Sequence, residues 1–260
     1  MKHYVGCKGW KNPTWSGVFY PVTLHSNDYL SYYSKVFDFA EVDLNRDTSP
    51  EYVNTGTTTT GRLSNRLLFK KWAESTPENF RFAIRLPKQI IHDVTKTGTF
   101  LEELAPLEDK TLAIVIETLT ILGNNGREWL VDILQTCTYQ GFSVAFEFKH
   151  PSWFQDSTFN LLNKHKAAIV WSDFSSRYSY RVVTADFLYF RIDVGNDDTE
   201  KWGKWIHKVK EKVTDSNSNR GRTGNNNQEE PLDTAIIVVS TPSRVNYVLR
   251  LLDLPEREYG

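Results

Sequence analysis

Short runs of β-branched and aromatic residues recur along the chain, and longer segments with helical spacing separate them. Nothing else in the sequence restricts the fold as strongly. Parallel strands need a long crossover, and a helix is the usual way to supply it. Eight strand-like runs fall near residues 3–9, 39–45, 80–86, 112–118, 142–149, 167–173, 187–193 and 234–241. Helical patterns lie near 26–37, 62–75, 99–106, 127–139, 156–165, 198–213 and 242–252. Eight strands in 260 residues fit one α/β domain, 1–260, a TIM-type (β/α)8 barrel. The link between strands six and seven, Phe174 to Asp186, is short and polar, so the barrel is expected to be slightly irregular there.

In the segment 198–213, Trp202, Trp205, Ile206, Val209 and Val213 recur at three- and four-residue steps and form one apolar stripe. Lys201, Lys204, Lys208 and Lys212 fall on the other side, which reads as a solvated face. The stretch 56–61 (GTTTTG) reads as a loop. Residues 214–231 carry no apolar anchors until the end and read as a mobile polar insertion.

The net charge of −1 excludes a global basic field for nucleic acid or anionic membrane. Cys7 and Cys137 lie far apart and form no CxxC pair, which suits a reducing, cytoplasmic setting. No run of about 18 apolar residues is present, and the N-terminus reads as a strand, with no signal-peptide core, so no membrane partner is expected. No Walker A loop, GxGxxG, HExxH or GxSxG occurs, which leaves phosphoryl transfer from nucleotides, hydride transfer and serine hydrolysis without support.

Side chains alternate across a strand, so one face of each run meets helices and the other fills the barrel. The apolar set Phe80, Phe82, Ile84 and Leu86 takes the outer face of strand three, and Arg81, Ala83 and Arg85 turn inward. The same rule sends Glu41, Asp43 and Asn45 inward from strand two, and Glu147 and Lys149 from strand five. It groups Trp171 with Asp173 on strand six, and Tyr189, Arg191 and Asp193 on strand seven; Glu117 ends strand four. The expected upper interior therefore holds Glu41, Asp43, Glu117, Glu147 and Asp173 against Arg85, Lys149 and Arg191. Isolated charges there would cost several kcal/mol each, so they pair with one another or face a wet cavity. Barrel active sites occupy this end.

His92 and His150 follow strand ends and are the histidines placed for acid–base work or metal ligation. Glu41, Asp43, Glu147 and Asp173 are an oxygen set suited to a divalent metal such as Mg²⁺ or Mn²⁺, or to an acid–base pair. The interleaved Arg85, Lys149 and Arg191 favour an anionic or polyhydroxylated ligand instead. After strand one, Trp10 is the aromatic placed to stack on a ligand, whereas Trp15 and Phe19 read as rim packing.

Six ordered segments carry a resemblance. They are GCKGW…W.G.FYP at 6–21, YYSKVFDFAEV at 32–42, W..STPENFRFAIRLPKQIIH at 72–92, FEFKHPSWF at 146–154, WSDF at 171–174 and TADFLYFRIDVG at 184–195. Together they resemble the YecE-like family of unknown function (domain of unknown function 72). The resemblance implies a β/α barrel and singles out Trp10, Glu41, Arg85, His92, Glu147, His150, Trp153, Asp173 and Arg191. The chain departs from the pattern at Lys8, where a small hydroxyl residue is usual, at Arg85 and Lys149, which exchange Lys and Arg, and at Ser240-Thr241 in place of an Asn pair. The leading expectation is a mouth that binds a phosphate-bearing ligand, nucleic acid included, and hydrolyses a phosphoester with a carboxylate-held metal. The alternatives are a metal-free sugar or small-acid enzyme using Glu147 and His150, and a binding module without chemistry.

Overall fold

The computed structural model of the chain describes residues 1–44, 65–118, 126–172, 182–192, 204, 207, 211 and 232–259. Eight parallel strands close into a barrel in the order of the sequence. They are β1 (Lys2–Lys8), β2 (Phe39–Asp43), β3 (Arg81–Arg85), β4 (Thr111–Thr118), β5 (Val144–Phe148), β6 (Ala168–Ser172), β7 (Phe187–Arg191) and β8 (Thr234–Val239). Helices follow as α1 (Tyr29–Val36), α2 (Asn65–Glu74), α3 (Val94–Glu103), α4 (Gly126–Tyr139), α5 (Asp156–Lys164) and α6 (Pro242–Leu251). Of the expected helix over 198–213, only Lys204, His207 and Glu211 are described, and all three are helical. Asn45, Asp193, the 56–61 loop, the 214–231 insertion and most of the link before β7 lie outside the described residues.

One helix begins earlier than its apolar spacing suggests. Asp93 caps α3 by accepting a hydrogen bond from the Lys96 backbone N–H at 3.0 Å. A separate 3₁₀ turn then runs from Ala105 to Lys110 with Pro106 in its first turn, where its missing N–H does no harm. The expected segment 99–106 therefore straddles two elements.

Alternation sorts the core into two layers. Inside the barrel, Tyr4, Phe39, Ala83, Ala113, Val115, Ala145, Ala168, Val170, Tyr189, Ile236 and Val238 form one apolar cluster. The four alanines make room for the rings. Outside it, Phe82, Ile84, Ile114, Phe146, Ile169, Leu188 and Ile237 join the helix faces in a larger cluster. Both described cysteines are buried thiols, and burial pushes the Cys137 thiol up to about 12.

The first two strands meet only at their upper ends, with Cys7 opposite Ala40 and Lys8 opposite Glu41. Below this junction the Tyr33 hydroxyl bridges them. It accepts from the Cys7 N–H at 2.8 Å and donates to the Phe39 carbonyl at 3.0 Å. Gly6 is required here, because a Cβ would stand 2.0 Å from the Phe39 carbonyl oxygen.

Candidate functional site

Above the apolar layers the inward positions change character. Glu41, Arg85, Glu117, Glu147 and Arg191 come from five different strands, and each is the last or next inward position before its strand ends. Glu41 is fully buried and Glu147 is 1% exposed. Glu41 Oε1 accepts from Arg85 Nη1 at 3.5 Å, and its Oε2 accepts from the Tyr189 hydroxyl at 2.7 Å and from Arg191 Nη2. Glu147 Oε2 accepts from Arg85 Nη1 at 3.2 Å and pairs with Arg191 Nη1. Its other oxygen holds Lys149 Nζ. Glu117 pairs with Arg85 Nη2 through one oxygen and accepts from Lys88 Nζ at 3.0 Å through the other. Asp43 stands 3.9 Å from Arg85 Nε. Arg85 thus faces carboxylates from β2, β4 and β5, and Arg191 ties β7 back to β2 and β5.

The electrostatics follow from this lattice. Burial pushes the Glu41 carboxyl up, but Arg191, Arg85 and the hydrogen bonds from Tyr189 and Arg191 outweigh it and hold the group at about 2. Burial also raises Glu117, yet the Lys88 hydrogen bond and the charges of Arg85 and Lys88 carry it below the usual carboxylate range. Arg85 is lowered by burial and raised further by Glu41 and Glu117, so its net displacement is upward. Arg191 goes the other way: burial lowers it, Glu41 raises it, Arg85 lowers it again, and the net displacement is down. It remains charged, as arginine does in proteins, but it is the less compensated of the two. Its Nε is buried with no hydrogen-bond partner among the described residues. A buried N–H left unpaired costs about 1–3 kcal/mol.

Tyr189 contributes only one bond to this lattice, which makes it the gentlest probe. Replacing Tyr189 with phenylalanine is expected to destabilise the fold by about 1–2 kcal/mol, read as a shift in the urea midpoint. An unchanged midpoint would mean that the hydroxyl does not hold Glu41.

The other expected site residues are placed less centrally. Lys149 is partly exposed above Glu147, its side chain 22% accessible. His150 caps the short turn Pro151–Trp153: its Nδ1 accepts from the Ser152 N–H at 3.2 Å, which leaves Nε2 for any other partner. His92 is exposed, its ring 5.4 Å from that of Trp129. Trp10 and Trp153 are each 1% exposed. Trp10 meets Trp72 edge-on at 5.1 Å, and Trp153 stacks on Phe148 at 5.1 Å. Both indoles lie in the layer between barrel and helices, and neither presents a face to the mouth. Trp171 also faces outward, against Phe190 at 5.4 Å. The inward end of β6 is therefore Ser172, in line with Ala168 and Val170, and the sequence-based face assignment for strand six is corrected; Asp173 itself lies outside the described residues.

Two participants were not given a role by sequence reading. Tyr189 lies on a predicted inward face, but alternation does not say what it touches. Lys88 lies beyond β3, where the two-residue rule has ended. Its one signal is position, three residues past Arg85 in RLPK.

The glutamate oxygens of the described lattice do not fit a metal cage. Both oxygens of Glu41, Glu117 and Glu147 face arginine, lysine or tyrosine donors. Among the described residues no group of three or more His, Cys, Asp or Glu side chains is placed to hold a metal ion. No helix of the described residues is long and apolar enough to cross a membrane.

A closed parallel barrel with its polar groups gathered at the C-terminal strand ends defines a TIM-type barrel protein. Residues 4–231 match the family model described as Protein of unknown function DUF72, and the chain belongs to that family. No curated protein matches the sequence. A crystal structure of a DUF72 family protein from Thermotoga maritima MSB8 superimposes with a TM-score of 0.68 at 20% identity, covering 97% of this chain and 100% of that one. One from Enterococcus faecalis V583 gives 0.65 at 14% identity, covering 100% of this chain and 98% of that one. At these identities the likeness is one of fold.

Proposed function

We propose that this chain binds a small phosphate-bearing molecule at the C-terminal mouth of its barrel. One observation carries the reading: two buried guanidinium groups, Arg85 and Arg191, are held rigidly at strand ends by buried glutamates. Pre-set guanidinium groups suit oxyanions, because they lose little freedom on binding. The described mouth is also locally basic. Lys8, Arg85, Lys88, Lys149, Arg191 and Arg244 give six cations against four carboxylates, Glu41, Asp43, Glu117 and Glu147, an excess of two in a chain whose net charge is −1.

That excess favours a small ligand over nucleic acid. A duplex-binding surface commonly neutralises six or more phosphates with lysine and arginine, and its affinity falls steeply with salt. Hydrolysis through a carboxylate-held metal is not part of the reading, since the oxygens already face cations. Acid catalysis by Glu41 is likewise unsupported, because a carboxyl at about 2 gives up no proton near neutrality.

The test is calorimetric titration with glycerol phosphate and, in parallel, glycerol. Saturable binding of the phosphate ester alone is expected, weakening only modestly with salt. Equal indifference to both compounds would overturn the reading. Tight binding of a single-stranded oligonucleotide with a log–log salt slope of about −4, as for roughly six phosphate contacts, would replace the small ligand with nucleic acid.

A further inference from the structure

At the junction of β7, β8 and β1 the mouth contains a notch of about 20 Å³, lined by Lys8, Arg191, Ile192, Val238, Val239 and Ser240. A space of that size admits one water-sized atom. The strands meet in register there, Arg191 opposite Val238 and Cys7 opposite Val239. Arg191, 8% accessible in its side chain, lines this notch. Its Nε is, with Trp15 Nε1 and Thr118 Oγ1, one of three buried side-chain atoms without a hydrogen-bond partner among the described residues; of the three residues, only Arg191 lines the notch. Buried N–H groups are nearly always paired, so an unpartnered donor on a residue that lines an open notch makes that notch a place for an acceptor.

The surroundings say what that something carries. Lys8 contributes an ammonium from the end of β1. The Ser240 hydroxyl accepts from Arg244 Nη1 at 2.5 Å, which leaves its own proton to donate. Helix α6 starts two residues beyond Ser240 at Pro242, with no side-chain hydrogen bond from the Thr241 cap. Its N-terminal dipole adds positive potential on the same side. Every polar group named is a donor or a positive end. The carboxylate partners of Arg191, Glu41 and Glu147, are engaged through Nη2 and Nη1, not through Nε.

We infer that this notch is the phosphate subsite of the mouth: one phosphate oxygen enters it and accepts from Arg191 Nε and Ser240, while Lys8 and the α6 N-terminus meet the oxygens that stay outside. The inference rests on the phosphate reading above and narrows it to one place. Phosphate sites in barrels of this type often lie beyond strands seven and eight. The rest of the ligand then extends over the mouth toward Lys149 and Lys88.

Inorganic phosphate and glycerol phosphate are titrated into the wild type and into K8M, S240A and K149M. S240A removes a single atom and Lys149 stands partly exposed at the edge of the lattice, its side chain 22% accessible, and circular dichroism verifies the fold of each variant. The expected result is about a tenfold loss of inorganic phosphate affinity in K8M and in S240A, the effect of one charge-assisted hydrogen bond. K149M removes a cation from the far side of the mouth and is expected to weaken inorganic phosphate less than K8M and S240A do, while weakening glycerol phosphate as well. Glycerol phosphate binding that falls in K149M but is unchanged in K8M and S240A would overturn the notch and leave the mouth reading intact. Absence of binding for both probes in the wild type would overturn both.

Discussion

Changing Glu41 to glutamine is expected to destabilise the protein by about 3–5 kcal/mol, the usual penalty for leaving a buried ion without its partner. The side chain keeps its volume, so the loss reports charge and not packing. Two guanidinium groups lean on this carboxylate from opposite sides of the barrel, Arg85 of β3 and Arg191 of β7. The same group sets an acid limb. Its carboxyl stands at about 2 in the fold against an ordinary 4.5, so the folded value is the depressed one. The stabilisation is therefore present above about pH 4.5 and is lost as pH falls toward 2. The gap corresponds to about 3 kcal/mol. Urea unfolding from pH 2.5 to 7 should show the wild type losing stability over that window and E41Q losing less. Superimposable curves would mean that Glu41 is not the anchor of the lattice.

Replacing Trp10 with alanine is expected to cost about 3–5 kcal/mol and to leave phosphate affinity unchanged. The indole is 1% exposed and sits among Trp72 at 5.1 Å and Phe82 at 6.2 Å. Its carbonyl also accepts from the Tyr20 hydroxyl at 2.6 Å, which fixes the loop after β1 against the core. Denaturation and titration of the same variant separate the two roles. A stable W10A that has lost its ligand would return Trp10 to the mouth.

Trp10 shows where sequence reading stops. Position just after a strand suggests a ring that stacks on a ligand, but the ring packs against Trp72 and Phe82 in the layer behind the barrel. Trp171 shows a related limit, since an aromatic at a strand end fits either face until the register of its neighbours is known. The two-residue period worked where one face was plainly apolar. Phe80, Phe82, Ile84 and Leu86 left no choice for Arg85, and Val42 between Ala40 and Leu44 left none for Glu41. Strand count and closure were legible for the same reason. Pairing was not: nothing local says that Arg191 reaches Glu41 across 150 residues, or that Lys88 bends back to Glu117. Such contacts depend on barrel closure, which no short window of sequence contains.

Among the described residues, the glutamates that suggest a metal in the sequence, Glu41 and Glu147, are already met by cations. β3 and β7 bring arginines against the glutamates of β2, β4 and β5, so each of these glutamates is met by a cation before any ion arrives. Within the lattice the atom left without a partner is a donor, Arg191 Nε.

Arginine side-chain ¹H–¹⁵N spectra recorded during titration with inorganic phosphate address the mouth most directly. A saturable shift of the Arg191 Nε–H signal, larger than that of any exposed arginine such as Arg66 or Arg250, is the expected result. Arg85 and Arg191 signals that stay still while only the exposed arginines move would contradict the account.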